Sequence, residues 1–285
     1  MVVFLLASHT LETDSFIMAL RRFINIRGNI RQLRSDWGTN FVGAERELRD
    51  AVKEMHHDRI NRELLNEGAD YLVIKWKRNQ PSASHMGGIW ERQIRSIRAI
   101  LSALFKVHGT SLNDEALRTF MAEATGILNS RPLTVDNLNS PDCLPLSPNN
   151  LLTMKTKVVL PPPGNFPRAD IYSRKYWRRV QHLADEFWKR WRKEYLQNQQ
   201  KRTKWCNQRD NLKVGDIVLV VQDNISRNEW KKGRIVNVRE DSQGHVRSIF
   251  VKIGSKNGHS VQVLERPIDK LVLLCSTEDG EETVV

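Results

Sequence analysis

Trp177, Val180, Ala184, Trp188, Trp191 and Tyr195 recur at steps of three or four residues in a segment, 172–205, that contains neither Gly nor Pro. That period predicts one long amphipathic helix. Arg174, Arg178, Arg179, Lys189, Arg192 and Lys193 largely fill the other positions, so an aromatic stripe is paired with a basic face. The stripe suits docking on a neighbouring domain. The basic face suits solvent or phosphate, and the two readings are compatible.

Upstream, Leu160 to Pro167 holds four prolines and cannot continue a helix or a central strand, which marks 155–171 as a Pro-rich linker. Downstream, the β-branched runs 214–221, 233–238, 249–253 and 271–274 are separated by turn-rich stretches, the pattern of a small antiparallel β-barrel over 206–275. Residues 276–285 form an acidic tail expected to fray. The front half alternates instead. Strand-like Val2 to Leu6, 30–34 and 71–76 are interleaved with helical 15–26, 44–55, 88–108 and 113–129, an α/β pattern over 1–154. Thr13 or Asp14 is expected to cap the first helix and Gly28 to end it. The apolar opening has no basic residues ahead of it and is too short for a secretory leader, and no stretch approaches the ~20 apolar residues of a membrane span.

Charge changes this picture. The chain of 285 residues has 45 Lys+Arg against 33 Asp+Glu, a net charge of +12. Residues 172–205 hold 11 of those cations and 3 of the acids, two-thirds of the excess, whereas 206–285 balance 12 against 12. Such localisation points to an electrostatic contact with phosphates rather than to general solubility. Cys143, Cys206 and Cys275 are too widely spaced for a disulfide framework or a paired zinc site, which fits an intracellular, reducing setting.

Two acids are placed for chemistry. Asp36 follows the strand-like 30–34 and precedes Trp37 and Gly38, at a strand end where α/β folds put ligand-binding groups. An Asp ahead of a Gly also serves as a plain turn residue. Glu91 follows the loop 81–88 and opens a helix whose buried face is expected at Ile89, Ile94, Ile97, Leu101 and Leu104. Arg95 and Arg98 share its opposite face at i+4 and i+7. A carboxylate there also has an ordinary role, against the helix dipole and Arg95.

The run Ser35-Asp36-Trp37-Gly38-Thr39-Asn40-Phe41-Val42-Gly43-Ala44 resembles the second-aspartate motif of retroviral-type integrases, and 81–91, ending Gly87-Gly88-Ile89-Trp90-Glu91, resembles the glutamate motif in its Pao-type retrotransposon form. Asn129-Ser130-Arg131-Pro132-Leu133-Thr134 and Leu146 to Leu152 resemble the tail of that catalytic core, and 172–275 the associated C-terminal module. The resemblance implies a ribonuclease-H-like core, a linking helix and a small SH3-like barrel. It also implies three acids holding two Mg or Mn ions, with Asp36 the second acid and Glu91 the third. Hard divalent cations favour carboxylate oxygens, and a metal pair clamps the attacking and departing oxygens of a phosphodiester. Arg95, Arg98, Arg178, Arg179, Lys189, Arg192, Lys231, Lys232 and Arg234 are then the expected contacts to double-stranded DNA.

The family's first aspartate has no counterpart among the residues before Asp36, since Glu12 and Asp14 fall at the entry to the first helix. The expectation is an N-terminally truncated integrase portion that binds DNA but is inactive alone. The zinc module that integrases carry ahead of the core is also missing, because His56 and His57 have no paired cysteines. Self-association into homo-multimers and nuclear localisation follow only by implication. The alternatives are a non-catalytic nucleic-acid-binding or assembly protein derived from a retroelement, and a ribonuclease-H-like nuclease that would leave 172–275 unexplained.

Overall fold

A computed structural model of the chain describes residues 2–8, 10–28, 30–35, 39–54, 75–78, 88–108, 112–135, 145–155, 162–199, 211–223, 225–242, 244–254 and 261–277. Expected features at 56–57, 71–74, 81–87, 156–161, 200–205 and 278–285 lie outside them, as do Asp36, Cys143 and Cys206. The described chain is mixed α/β, with six α-helices and one five-stranded antiparallel sheet. It divides into two compact units, Leu6–Arg95 and a larger one of Met1–Leu5 with Ser96–Val285.

In the smaller unit, α1 (Thr13–Arg27) is followed by β1 (Gln32–Ser35), α2 (Thr39–Glu54) and β2 (Lys75–Arg78). β1 and β2 pair in parallel, Gln32 with Lys75 through Ser35 with Arg78. α1 is not capped by Thr13 or Asp14: Glu12 holds the N-cap position without a side-chain bond, and Asp14 stands in the first turn, where its charge faces the positive end of the helix. Gly28 ends the helix as expected, adopting φ of 89° while its N–H donates to Ile24 O. Phe16 meets Phe41 edge-on at 4.7 Å and Trp76 at 6.4 Å, so one ring ties α1 to α2 and β2.

α3 (Gly88–His108) has the length its pattern predicts. In the larger unit it is joined by α4 (Asp114–Asn129), the two-residue strands β3 (Thr134–Val135) and β4 (Pro145–Leu146), α5 (Pro148–Thr153), a 3-10 turn (Arg168–Tyr172) and α6 (Tyr176–Gln199). The opening residues correct the expected strand over Val2 to Leu6. Among the described residues they pair with no strand, and side chains of α4 bond their backbone instead. Val3 N–H donates to Asn129 Oδ1 (2.9 Å), Asn129 Nδ2 donates back to Val3 O (2.6 Å), and Leu5 N–H donates to Thr125 Oγ1 (3.0 Å).

The sheet holds β5 (Ile217–Val220), β6 (Lys232–Glu240), β7 (Val246–Gly254), β8 (Val261–Pro267) and β9 (Leu271–Cys275) in the order β8-β7-β6-β5-β9. β8 and β9 form no ladder with each other, so among the described residues the sheet is open rather than a closed barrel. β5 is buried on both faces, which is why four apolar residues run without alternation. Val218 and Val220 enter the sheet's own core with Ile235, Ile249 and Val251, while Leu219 and Val272 join the helical core. That helical core stacks Phe120 of α4 against Phe105 and Phe187, with Leu104, Ile127 and Leu128 around them. Gly233 is needed where the start of β6 lies close against β7, since a methyl there would run into the Val251 side chain and stand 2.7 Å from Lys252 O.

Phe187 is fully buried at the centre of this core. We expect Phe187→Ala to lower the unfolding free energy by about 3–5 kcal/mol and Gly233→Ala by about 1–3 kcal/mol, measured by urea denaturation. A cost for Phe187→Ala no larger than that of an exposed substitution would contradict the packing.

Candidate nucleic-acid interface

The long helix α6 presents two unlike faces. Val180, Leu183, Ala184, Phe187, Trp188, Trp191 and Tyr195 are buried. Trp188 and Tyr195 hold Trp230 between them, edge-on at 5.1 and 5.3 Å. Three polar edges here find partners: Trp188 Nε1 donates to Ile225 O (3.2 Å), Tyr195 OH to Pro132 O (3.2 Å) and Trp230 Nε1 to Ser130 Oγ (3.3 Å), while the buried Trp191 Nε1 meets no acceptor among the described residues. Trp230 is therefore packed toward the helix, Lys231 follows it, and Lys232 begins β6. The opposite face of α6 leaves Lys189, Arg190 and Lys193 exposed.

Several cations expected to meet DNA are engaged within the chain. Arg178 makes a two-pronged pair with Asp170 (Nε to Oδ1 2.8 Å, Nη2 to Oδ2 2.9 Å), and Nη2 also donates to Asn165 O (3.0 Å). It thereby fastens the segment before α6 to the helix, a rigid fork matched to a carboxylate. Arg179 donates to Ser173 O (2.6 Å), and Arg192 to Gln222 O. Lys189 pairs with Glu186 at 2.9 Å, and Lys231 donates to Gln222 Oε1 (2.9 Å). Lys232 and Arg234 are half-buried in β6 and have interactions of their own. Arg174 and Lys193, named on the basic face but not among the expected DNA contacts, and Lys175 and Arg190, which the pattern did not name, are exposed. Part of their signal was present in the helical period: Lys193 falls opposite the aromatic stripe, and Arg190 on its flank.

Electrostatics at the start of α6 run against helix stability. Arg174, Lys175, Arg178 and Arg179 crowd its positive end, and its first turn has no acid. Asp170 is the local offset. Hydrogen bonds from Arg178 hold its carboxyl below the ordinary range, against the opposing effect of burial. Further along, burial pushes the His108 imidazole below its ordinary value; the nearby Arg190 and Arg168 push the same way, and Glu186 opposes them.

A buried relay joins α4, α6 and the β5–β6 connection. Gln181 donates to Glu123 Oε1 (2.7 Å) and accepts from Arg227, which is buried and stands 3.5 Å from Asp185. Burial raises the Asp185 carboxyl, and the cations Arg227 and Lys189 only partly reverse this.

The motif residues are placed as follows. Position 36 comes immediately after β1, but Asp36 lies outside the described residues. Glu91 stands in the first turn of α3, and its side chain likewise falls outside the description. Arg95 and Arg98 are exposed on α3. The buried face of α3 is Ile97, Ile100 and Leu104, with Ile94 exposed. Among the described residues, no group of three or more His, Cys, Asp or Glu is placed to hold a metal ion. No described helix is long and apolar enough to cross a membrane. Asn129, Ser130, Arg131 and Pro132 act structurally: they tie the opening segment, Trp230 and Tyr195 to the end of α4, and Arg131 itself is buried and donates to Leu128 O (2.7 Å). Ser147 and Asn150 form a reciprocal capping box on α5, and Asn149 donates to Gly126 O (2.9 Å).

Residues 175–274 match a family of unknown function, DUF5641. The match spans α6 and the sheet together, the two parts that Trp188, Tyr195 and Trp230 join. No curated protein matches the chain.

Because the folded Asp170 value is depressed, its contribution to stability is complete above the ordinary Asp value near ~3.9 and is lost as pH falls through the folded value. We expect Asp170→Asn to be less stable than wild type at neutral pH and to have a shallower acid limb, measured by urea midpoints across the acidic range. A wild-type advantage that does not shrink as the solution is acidified would remove the ion pair from the account.

Proposed function

We propose that the chain binds duplex DNA as a portion of a Pao-type retroelement integrase, with α6 and the sheet as the phosphate-holding module. The observation that carries this reading is the division of α6: its aromatic face is spent on the sheet, so that Lys189, Arg190 and Lys193 are presented to solvent along a rigid rod. A helix held this way loses little entropy when its cations meet a polyanion. The strand order β8-β7-β6-β5-β9, with a single 3-10 turn (Ile268–Lys270) between the last two strands, supports the SH3-like reading of the sheet. The parallel β1–β2 pair and its α2 crossover support the ribonuclease-H-like reading of the front half.

On this reading Asp36 and Glu91 would hold Mg or Mn, since carboxylate oxygens are the donors such ions take, and the bound ions would supply charge neutralisation at a phosphodiester. Homo-multimers and a nuclear location belong to the same proposal.

Duplex binding by the full chain should fall steeply with salt, with a log–log slope of about −2 to −4 if two to four phosphates are neutralised. Arg190→Glu with Lys193→Glu should weaken binding about tenfold and flatten that slope. Arg178→Ala should mainly lower stability, because its guanidinium is occupied by Asp170. Binding insensitive both to salt and to the α6 charge reversals would refute the proposal. Strand transfer on a labelled element end with Mg or Mn tests the catalytic half separately.

A further inference from the structure

The apolar stripe of α6 runs past its covering. Trp177 continues the line of Ala184, Trp188, Trp191 and Tyr195, yet it is 50% exposed while those residues are buried. Beside it, Tyr176 is 49% exposed, and Tyr172, at the end of the preceding 3-10 turn, is 80% exposed. Three large rings within six consecutive residues thus keep open surface, although aromatic side chains ordinarily bury most of theirs.

Cations are interleaved with these rings. Arg178 lies 5.5 Å from the Trp177 ring centre and 5.4 Å from that of Phe166, and Arg179 lies 5.1 Å from that of Tyr176. Phe166 is buried and meets Trp177 edge-on at 5.7 Å, which steadies the Trp177 ring. Arg174 and Lys175 are exposed between Tyr172 and Tyr176. Asp170 is the one acid from 168 to 179, against Arg168, Arg174, Lys175, Arg178 and Arg179.

We propose that Tyr172, Tyr176 and Trp177, with Arg174 and Lys175, form a stacking platform for unpaired bases of single-stranded nucleic acid. The inference deepens the reading of α6 as a nucleic-acid contact and rests on it. Charge complementarity selects the occupant. A protein partner would match these cations only with acids placed among its apolar groups, whereas a strand carries a phosphate at every step and an aromatic base between phosphates, matching both features throughout. Duplex DNA satisfies the cations but not the rings, because its bases are already stacked. The platform therefore receives a separated strand, and Arg190 and Lys193 further along α6 meet the paired phosphates.

The test compares binding of a labelled oligothymidylate and a duplex of equal length to the full chain, followed by anisotropy. Tyr172→Ala with Trp177→Ala should weaken single-strand binding about a hundredfold, since each stacked base contributes about tenfold, and change duplex binding by less than about twofold. Trp177→Phe should keep most of the single-strand affinity. Tyr172→Ala alone is the variant least able to disturb the fold, and it should also weaken single-strand binding selectively.

Unchanged single-strand binding in the double variant, or equal weakening on both substrates, would overturn the platform while leaving duplex binding by α6 intact. Wild-type protein that binds neither substrate would bring down both readings. If instead the wild type forms a dimer that Trp177→Ala dissociates, with no change in single-strand affinity, the patch belongs to a second copy and the proposal fails.

Discussion

Burial of the α6 aromatic stripe is the constraint on which the larger unit depends. Trp188 and Tyr195 face Trp230 of the β5–β6 connection, while Phe187 meets Phe120 of α4, so one helix joins the sheet side to the helical core. Full burial of each large apolar side chain is worth about 1.5–3 kcal/mol, and the edge-to-face pairs with Trp230 add about 0.5–1.5 kcal/mol each. No single ion pair among the described residues competes with that sum. The sheet, whose β5 must be buried on both faces, has no other described surface on which to place Leu219 and Val272.

Polar groups then set the docking angle that hydrophobic contact alone leaves loose. Trp188, Tyr195 and Trp230 each reach a defined acceptor, and Arg227 bridges Gln181 and Asp185 from the sheet side. Buried groups of this kind cost free energy unless partnered, so alternative dockings that break the bonds are penalised. The raised Asp185 carboxyl is a sign of that cost. The same logic accounts for 129–132, where the end of α4 binds the opening segment through Asn129 and the sheet side through Ser130.

Much of the fold was legible because its residues repeat with the period of their element. The limits of α3, the docking stripe of α6 and four strands of the sheet follow from apolar spacing. β8 did not, because Gln262, Glu265 and Arg266 break its apolar run: it is an edge strand with few residues inside the core. The opening Val2 to Leu6 reads as a strand from composition alone, yet whether an extended segment joins a sheet depends on a partner edge, and Asn129 and Thr125 supply the hydrogen bonds instead. On α3 the expected Ile94 is exposed and Ile100 is buried, because the neighbours choose which edge of a broad apolar stripe faces inward.

For the candidate site, the sequence by itself determined that cations concentrate on one helix opposite an aromatic stripe, and that two acid-bearing motifs resemble those of an integrase core. Helical period is a local property, and charge is counted without knowing the fold. Which cations remain available was decided only by the tertiary structure. Arg178 is claimed by Asp170, eight residues away and across a turn, and Arg192 by Gln222, from the far side of the sheet connection, whereas Arg190 and Lys193 stay exposed. Hydrogen-bond partners brought together by packing leave no signature in the spacing of either residue, so the difference between a structural and a presented arginine exists only once the chain has folded.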